Sequence, residues 1–361
     1  MERFGFVGLP NAGKSSLFNA LAIGGRALAA PYAFATTDPN IGVARVPDRR
    51  LDQLAEMSAS ARVIPATVQF VDIGGLVEGA SQGEGLGNRF LGGIREVDAV
   101  VFVLRAFTDD DVPGPTDPLE HIRVLELELT LADLESIESR IDKRRKAAKA
   151  DPRDAGLAAE VAALEVALAV VSEGTPLYRS DMTTLERAAL REHFLLTNKP
   201  VLAVVNLGED QLAAADALME PVRAALPAAE VLPMCVQLEA EAVQLDEAER
   251  AEMLEGLGLG EGALPRFVRA AYHELGLRTF FTTGDKETRA WTFRAGWTAP
   301  QCAGVIHTDF ERGFIRAEVI DWEVLLGIGS WSGARDVGRL RIEGKEYVVQ
   351  DGDVLEIRFN V

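Results

Sequence analysis

Gly8-Leu-Pro-Asn-Ala-Gly13-Lys14-Ser15 is the stretch of this sequence that decides its predicted fold. It matches the pattern G-x-x-x-x-G-K-[ST] in full and lies between the apolar run 4–7 and the helix-like run 16–21. Glycines let the backbone pass close to a polyphosphate with its N–H groups turned inward, and the helix that follows adds its positive end. We therefore expect Lys14 to contact the β- and γ-phosphates of a nucleoside triphosphate and the Ser15 hydroxyl to bind Mg²⁺.

Length and composition narrow the classes of protein that fit this sequence. A chain of 361 residues is too long for one ordinary core, so we expect two or three domains. The start MERFGFVG has no basic region or cleavage site, and no apolar run approaches about 18 residues. These features predict a cytoplasmic protein without a signal peptide or membrane span. The two cysteines and four histidines have no metal-ligand spacing, which favours structural roles for them.

Two downstream segments could complete a site for phosphate and Mg²⁺. The polar, proline-marked segment 30–40 contains Thr36, which we expect to sense the γ-phosphate through Mg²⁺, although ordinary turn chemistry also accounts for threonines in such a loop. The apolar strand 66–71 delivers Asp72 at its carboxyl end, where a carboxylate can hold the water shell of Mg²⁺. Gly75 completes a D-x-x-G pattern and is expected to offer its N–H to the γ-phosphate.

The residue after D-x-x-G bears on hydrolysis. Many GTPases carry a glutamine there to position the attacking water, whereas this sequence has Leu76. A leucine side chain cannot orient water, so hydrolysis would need backbone groups, a monovalent cation or a partner. The amide oxygen of Asn11 could help hold K⁺ near the phosphates, but asparagine also serves loops through bonds to the backbone.

The middle of the sequence changes from a strand pattern to a helical one. The near-continuous apolar runs 99–104 and 200–205 predict buried parallel strands. Between them, segment 117–149 has leucines and isoleucines at three- and four-residue spacing, and the pattern resumes after Asp151-Pro152 up to Gly174. This predicts an antiparallel helical hairpin, or coiled coil, inserted into an α/β domain.

The predicted tip of this hairpin is basic in an acidic chain. A net charge of −19 repels nucleic acid, so any contact with RNA must be local. Six cations at the tip allow two interpretations, an RNA-contacting finger or a solvated helix end. They are Arg140, Lys143, Arg144, Arg145, Lys146 and Lys149. On the first interpretation, charge reversal of Arg144 and Arg145 abolishes ribosome association and spares nucleotide binding.

Residues 206–209, Asn-Leu-Gly-Glu, stand where GTPases carry N-K-x-D. The aspartate of that motif accepts two hydrogen bonds from guanine, and an unpaired buried acceptor is costly. Glu209 is one methylene longer, and Leu207 replaces the lysine whose stem packs along the base. We therefore expect strict guanine selection to be lost, with adenine contacted by Asn206 and by the Leu207 backbone.

The C-terminal part of the sequence alternates apolar and polar residues, which predicts a small, mostly β domain.

In these motifs and in its C-terminal part, the chain resembles the YchF, or Obg-like, ATPases of the Obg branch of phosphate-loop proteins over nearly its full length. The matching stretches are GLPNAGKSS (8–16), YAFATTDPN (32–40), DIGGLVEGAS (72–81), NLGE (206–209) and the tail that begins RTFFTTGDKETRAWTFRAGWTAP at 278.

The resemblance implies a preference for ATP over GTP, slow Mg²⁺-dependent hydrolysis and association with the ribosome. It implies a nucleotide-binding domain at 1–118 and 197–276, the hairpin at 119–196 and a ubiquitin-like (β-grasp, TGS) domain at 277–361. By position it also implies Mg²⁺ ligation by Ser15 and Thr36 and an adenine contact at Leu207. The implied phosphate contacts are Asn11, Ala12, Gly13, Lys14, Ser15 and Ser16. The fold requires no second copy of the chain, so a monomer is expected.

Overall fold

A computed structural model describes the backbone of residues 2–26, 41–73 and 86–360, and the side chains of 2–23, 41–73 and 90–360. The chain forms two compact units. Unit 1 consists of Met1–Ala44 and Gln69–Phe267, and unit 2 consists of Arg45–Val68 and Val268–Val361.

The described residues of both units form the following strands and helices. In chain order the strands are β1 (Arg3–Val7), β2 (Ile41–Arg45), β3 (Val63–Ile64), β4 (Thr67–Asp72), β5 (Ala99–Arg105), β6 (Val201–Asn206), β7 (Glu230–Met234), β8 (Leu277–Thr282), β9 (Thr288–Arg294), β10 (Phe314–Asp321), β11 (Arg341–Glu343) and β12 (Asp353–Phe359). The helices are α1 (Lys14–Arg26), α2 (Arg49–Met57), α3 (Leu86–Arg95), α4 (Pro118–Ala150), α5 (Ala155–Ser172), α6 (Thr184–Ala189), α7 (Ala215–Ala225), α8 (Val236–Ala242), α9 (Glu247–Gly256), α10 (Ala263–Glu274), α11 (Ala299–Ile306), α12 (Thr308–Arg312), α13 (Trp322–Ile328) and α14 (Trp331–Asp336).

Unit 1 contains a six-stranded sheet with the order β2-β4-β1-β5-β6-β7. The pairs β1–β4, β1–β5, β5–β6 and β6–β7 are all parallel, so the carboxyl ends of these strands meet at one edge. Every residue of β5 and β6 is buried, which confirms the two predicted core strands. The loops that carry the phosphate, magnesium and base motifs therefore leave the sheet at the same edge.

Helices α4 and α5 are joined by residues 151–154 and pack against each other in opposite directions. Asp117 caps α4 by accepting a hydrogen bond from the Leu119 N–H at 2.9 Å, and Asp154 caps α5 by accepting from the Leu157 N–H at 2.9 Å. The first half of α4 packs in the core of unit 1, whereas the second half of α4 and helix α5 form a separate core. This separate core includes Ile137, Ile141, Ala163, Leu164, Ala167 and Val171.

Among the described residues, one helix is long and apolar enough by composition to cross a membrane, namely α5, with a mean hydropathy of 1.8. We expected no apolar run of this length, but the many alanines raise the mean despite Glu160 and Glu165. Packed helices of soluble proteins also meet this criterion. In α5 the residues that are buried, Ala163, Leu164, Ala167 and Val171, pack in the core that it shares with α4.

Unit 2 contains a second six-stranded sheet with the order β11-β10-β12-β8-β9-β3. Residues 45–68 belong to unit 2, although we predicted that they form part of the nucleotide-binding domain. The physical reason is that β3 pairs in parallel with β9, and Ser60 Oγ lies 2.7 Å from Thr288 Oγ1. Arg50 also forms an ion pair with Asp351 at 2.8 Å. The predicted segment 277–361 therefore supplies most of this unit but not all of it.

Candidate functional site

The loop of residues 8–13 joins β1 to α1, as the motif predicts. Gly13 has a φ of 97°, and a Cβ there would lie 2.4 Å from Asn206 Nδ2. A Cβ on Gly8 would lie 2.5 Å from the backbone oxygen of Val103. Both positions therefore require glycine, and the loop places backbone N–H groups at a helix N-terminus, an arrangement that binds phosphate.

Lys14 is the first residue of α1, and its side chain is buried with only 6% exposed. Its Nζ donates a hydrogen bond to the Leu9 carbonyl at 2.8 Å. Burial lowers the pKa of Lys14, and the nearby Asp72 carboxylate opposes this shift. Because the acceptor belongs to the phosphate loop itself, a phosphate oxygen would compete with this carbonyl for the amine.

Ser15 and Asp72 bring two oxygen ligands together beside that amine. The Ser15 hydroxyl donates to Asp72 Oδ2 at 2.7 Å, because Asp72 ends β4 in register with Phe6 of the neighbouring strand. Hydroxyl and carboxylate oxygens are ligands that suit Mg²⁺, which usually keeps water and phosphate as its other ligands. The pair fits such an ion, although no group of three or more His, Cys, Asp or Glu with metal-binding geometry occurs in the part of the chain that the structure describes.

Several predicted site residues fall outside the described residues. They are Thr36, Gly75 and Leu76. Ser16 lies exposed in the first turn of α1.

Asn206, the last residue of β6, links the phosphate loop to the first residue of α8. Its Nδ2 donates to the Ala12 carbonyl at 3.1 Å, and its Oδ1 accepts from the Val236 N–H at 3.1 Å. The residue is 5% exposed, so both bonds lie in a buried setting where they are costly to lose. Both amide atoms are thus already engaged within the protein, whereas the sequence predicted that Asn206 contacts adenine.

The Leu207 side chain is buried in the hydrophobic core of unit 1 with 1% exposed. Its N–H donates to the Met234 carbonyl at 2.9 Å, so a contact of its backbone with a base would use the carbonyl oxygen. Glu209 is exposed at the start of a 3₁₀ helix, Glu209–Ala214. Within the motif 206–209, Asn206 therefore bonds to the protein itself, the Leu207 side chain packs in the core and Glu209 is exposed.

Gln211 is a residue that sequence reasoning missed. Its Oε1 accepts from the Gly208 N–H at 2.8 Å, and its Nε2 donates to the Ala106 carbonyl at 3.0 Å. It thereby connects the loop after β6 with the loop after β5. No motif contains this glutamine, and only its position three residues after Gly208, at helix-capping distance, could have drawn attention to it.

The cations near the α4–α5 connection divide into two groups. Arg144 forms an ion pair with Glu160, Arg145 pairs with Glu165 at 3.0 Å, and an Arg140 guanidinium N–H donates to the His193 carbonyl at 2.9 Å. Lys143, Lys146 and Lys149 are exposed and make no ion pair with any described residue. Charge reversal of Arg144 and Arg145, which the sequence suggested as a test of RNA contact, would therefore also break bonds between the two helices.

Comparisons with known proteins agree with this geometry. A family profile described as 50S ribosome-binding GTPase matches residues 3–127, and a profile of the C-terminal region of YchF GTPases, described as a protein of unknown function, matches residues 277–360. A ribosome-binding ATPase YchF from Bacillus subtilis is 46% identical to this chain, and one from Escherichia coli O157:H7 is 47% identical, with 99% of each chain covered in both cases.

A eukaryotic relative and a solved structure are also similar over most of their length. Obg-like ATPase 1 from Pongo abelii is 39% identical over 99% of this chain and 92% of its own. The solved structure of the Schizosaccharomyces pombe YchF GTPase is 34% identical, covers 99% of this chain and 97% of its own, and superposes with a TM-score of 0.86.

Proposed function

This chain belongs to the YchF family, and from that premise we propose that it is a ribosome-associated ATPase that binds ATP with Mg²⁺, hydrolyses it slowly and acts as a nucleotide-dependent switch in translation or stress response. The observation that carries the proposal is the cluster of Lys14 Nζ, Ser15 Oγ and Asp72 Oδ2 at the start of α1. This set supplies an amine for phosphate oxygens and two oxygens for Mg²⁺.

The proposed mechanism assigns a task to each described side chain. The loop N–H groups and Lys14 bind the phosphates, and Ser15 and Asp72 would hold Mg²⁺, which neutralises phosphate charge when it is bound. Asn206 keeps the phosphate loop in place through Ala12. We also propose, from the sequence, that Thr36 completes the Mg²⁺ ligands and that the Gly75 N–H contacts the γ-phosphate.

The proposed preference for ATP rests on the backbone carbonyl oxygen of Leu207, because the Leu207 N–H already donates to Met234. A carbonyl oxygen can accept a hydrogen bond from the 6-amino group of adenine, whereas guanine presents an acceptor at that position. The exposed Glu209 is poorly placed to supply the buried double acceptor that guanine needs. GTP is therefore proposed as a weaker substrate.

Slow turnover is proposed because Leu76 replaces the glutamine that positions water in many GTPases. A monovalent cation remains a candidate aid to hydrolysis. The Asn11 Nδ2 donates to the Pro113 carbonyl at 3.2 Å, which leaves the amide oxygen as the group that could bind K⁺. Turnover measured in KCl and in NaCl tests this, and equal rates would contradict a role for K⁺.

The test of the proposed function compares ATP with GTP and then removes the amine. ATP is expected to compete better than GTP for the site, and tenfold tighter binding of GTP, about 1.4 kcal/mol, would overturn the base assignment. Lys14→Ala is expected to abolish ATP binding and to remove the nucleotide dependence of ribosome pelleting. If pelleting of this variant equals that of the wild type in every nucleotide state, the chain is a ribosome-binding protein in which ATP is a structural ligand.

The finer architecture is also part of the proposal. We propose that 119–196 is the helical hairpin insertion, that the region from 277 is a ubiquitin-like TGS domain, and that 1–118 and 197–276 provide the remaining nucleotide-binding domain. The packing of α4 against α5 and the mixed sheet of unit 2 support this assignment. A cytoplasmic monomer that touches ribosomal RNA through a local basic patch completes the proposal.

The basic patch is proposed to consist of Lys143, Lys146 and Lys149, since these exposed tip cations form neither an ion pair nor a side-chain hydrogen bond with the described residues, whereas Arg140 donates to the His193 carbonyl. Lys146→Glu is expected to weaken ribosome association and to reduce its salt dependence. Lys345→Glu, the same charge reversal at an exposed lysine that forms no ion pair with a described residue, is the matched control. Equal effects of the two changes would contradict a local RNA contact.

A further inference from the structure

Residues 106–117, which we call the anchored segment, connect β5 to α4 and are held by the last residue of β5. Arg105 is 1% exposed, and its guanidinium donates three hydrogen bonds to backbone oxygens of the segment. They are Nε to Phe107 at 3.1 Å, Nη1 to Pro113 at 3.1 Å and Nη2 to Val112 at 3.0 Å. The guanidinium carbon also lies 4.5 Å from the centre of the Phe107 ring.

The charge of Arg105 makes this arrangement specific. A buried guanidinium is costly unless its donors are satisfied, and Arg105 forms no ion pair with a carboxylate in the part of the chain that the structure describes. Three backbone carbonyls accept its hydrogen bonds instead of a carboxylate. The segment must therefore keep one conformation for the charge to remain buried at acceptable cost.

The anchored segment contacts the phosphate loop through the same carbonyl that Arg105 binds. Asn11, which has a φ of 61°, donates from Nδ2 to the Pro113 oxygen at 3.2 Å. Gly114 has a φ of 117°, and a Cβ there would lie 4.0 Å from the Pro10 oxygen. Arg105 and Asn11 thus donate to the same carbonyl, which couples the guanidinium to the Asn11 amide.

The first residue of the segment, Ala106, contacts the loop after β6, which carries the predicted base motif and which we call the base loop. The Ala106 carbonyl accepts from Gln211, which in turn accepts from the Gly208 N–H. On the α4 side, the buried His121 Nε2 lies 2.9 Å from the Pro115 carbonyl and donates to it. The anchored segment is therefore fixed at both of its ends and in its middle, between the two loops that would hold a nucleotide.

We infer that Arg105 is a positioning residue that holds the anchored segment against the phosphate and base loops and thereby sets the affinity for the nucleotide. The inference rests on the proposed function, since it assumes that ATP occupies this site. The three hydrogen bonds of Arg105 go to the anchored segment and not to Lys14, Ser15 or Asp72, the groups assigned to the phosphates and Mg²⁺. Its loss is therefore expected to act on binding rather than on the hydrolytic step.

The experiment measures the equilibrium dissociation constant for ATP and kcat at saturating ATP in the full chain. Arg105→Lys keeps the charge, but its single ammonium nitrogen cannot replace the three separate guanidinium nitrogens that bind the three carbonyls, and it is expected to weaken ATP binding by about tenfold with kcat within about twofold of the wild type. Because Asn11 shares the Pro113 acceptor, Arg105→Lys and Asn11→Ala together should weaken binding less than the product of their separate effects. Multiplicative effects, or unchanged ATP affinity in Arg105→Lys, would overturn the inference.

Two further variants keep the test decisive. Asp133 is the control, because it is equally buried and binds the Leu196 and Thr197 N–H groups at 2.7 and 2.8 Å, away from the anchored segment. Asp133→Asn is expected to lower thermal stability without changing ATP affinity, and an equal loss of affinity would mean that Arg105 acts only through stability. If Arg105→Lys does not fold, Gly114→Ala displaces the segment through its φ and is expected to weaken ATP binding. A wild type that binds no ATP would instead refute the proposed function.

Discussion

At the scale of single residues, Asn206 uses both atoms of its side-chain amide, one as a donor and one as an acceptor. Asn206→Asp keeps the acceptor for the Val236 N–H but replaces the donor that binds the Ala12 carbonyl with a charged oxygen. We expect weaker ATP binding and a loss of about 1–3 kcal/mol in the free energy of unfolding, measured by urea denaturation and nucleotide titration.

Asn198→Asp is the matched control for this prediction. Asn198 Nδ2 donates to the Arg187 carbonyl at 3.1 Å, so the same substitution removes a similar donor far from the phosphate loop along the chain. It is expected to destabilise the protein while leaving ATP affinity unchanged. ATP affinities that fall equally in the two variants would show that Asn206 has no particular role at the loop.

The sequence predicted those site residues that belong to short motifs at strand ends. Lys14, Ser15 and Asp72 meet as expected, because β1 and β4 are adjacent parallel strands whose loops leave at one edge. Arg105 was not predicted, since an arginine after six apolar residues resembles an ordinary exposed strand end. Its burial depends on backbone carbonyls several residues away, and no spacing rule records that kind of partner.

At the scale of elements, the α4–α5 pair depends on an ion pair as well as on its apolar core. The Arg144 hydrogen bonds lower the pKa of Glu160, so their stabilisation is present above the ordinary carboxyl pKa and is lost as the pH falls. Arg144→Met is expected to lower the unfolding temperature at neutral pH. Its difference from the wild type should shrink on acidification below about pH 4.

Thermal unfolding followed by circular dichroism between neutral and acidic pH checks this prediction. Lys143→Met is the control, because Lys143 is the exposed neighbour without an ion pair in the described chain. We expect no pH-dependent difference for it. A deficit of Arg144→Met that stays constant with pH would contradict the role of Glu160 ionisation.

The two helices themselves were predicted closely. The spacing of leucines and isoleucines indicated helices from about residue 117 with a break at Asp151-Pro152, and α4 ends at Ala150. The partners of the tip arginines were not predicted. Glu160 and Glu165 lie on the other helix, and the sequence alone does not give the register between two helices.

At the scale of the whole molecule, unit 2 depends on a segment from early in the chain. Arg50 on α2 pairs with Asp48 and Asp351, and its guanidinium lies 5.2 Å from the Phe281 ring centre. Arg50→Met is expected to reduce amide hydrogen-exchange protection in β8 and β12, since both strands adjoin these partners. Arg49→Met, at the exposed neighbouring position, should leave protection unchanged, and equal losses would contradict the assignment.

The sequence predicted β structure in the C-terminal part of the chain but not the early segment that joins it. The alternating pattern after residue 277 indicated β structure, and β8 to β12 form most of a sheet there. Strand β3 was not predicted as part of it, because Val63–Ile64 is too short to display alternation. Its pairing with β9 is a contact between residues more than two hundred positions apart.

That pairing has a consequence for synthesis of the chain. At about 5–20 residues per second, the ribosome needs roughly 10–45 s after making β3 before β9 exists. During this interval α2 and β3 have no sheet to join, while the first strands of unit 1 can already pair. Unit 2 can therefore be completed only late in translation, and a nascent chain halted before residue 288 leaves the 45–68 segment available to proteases and chaperones.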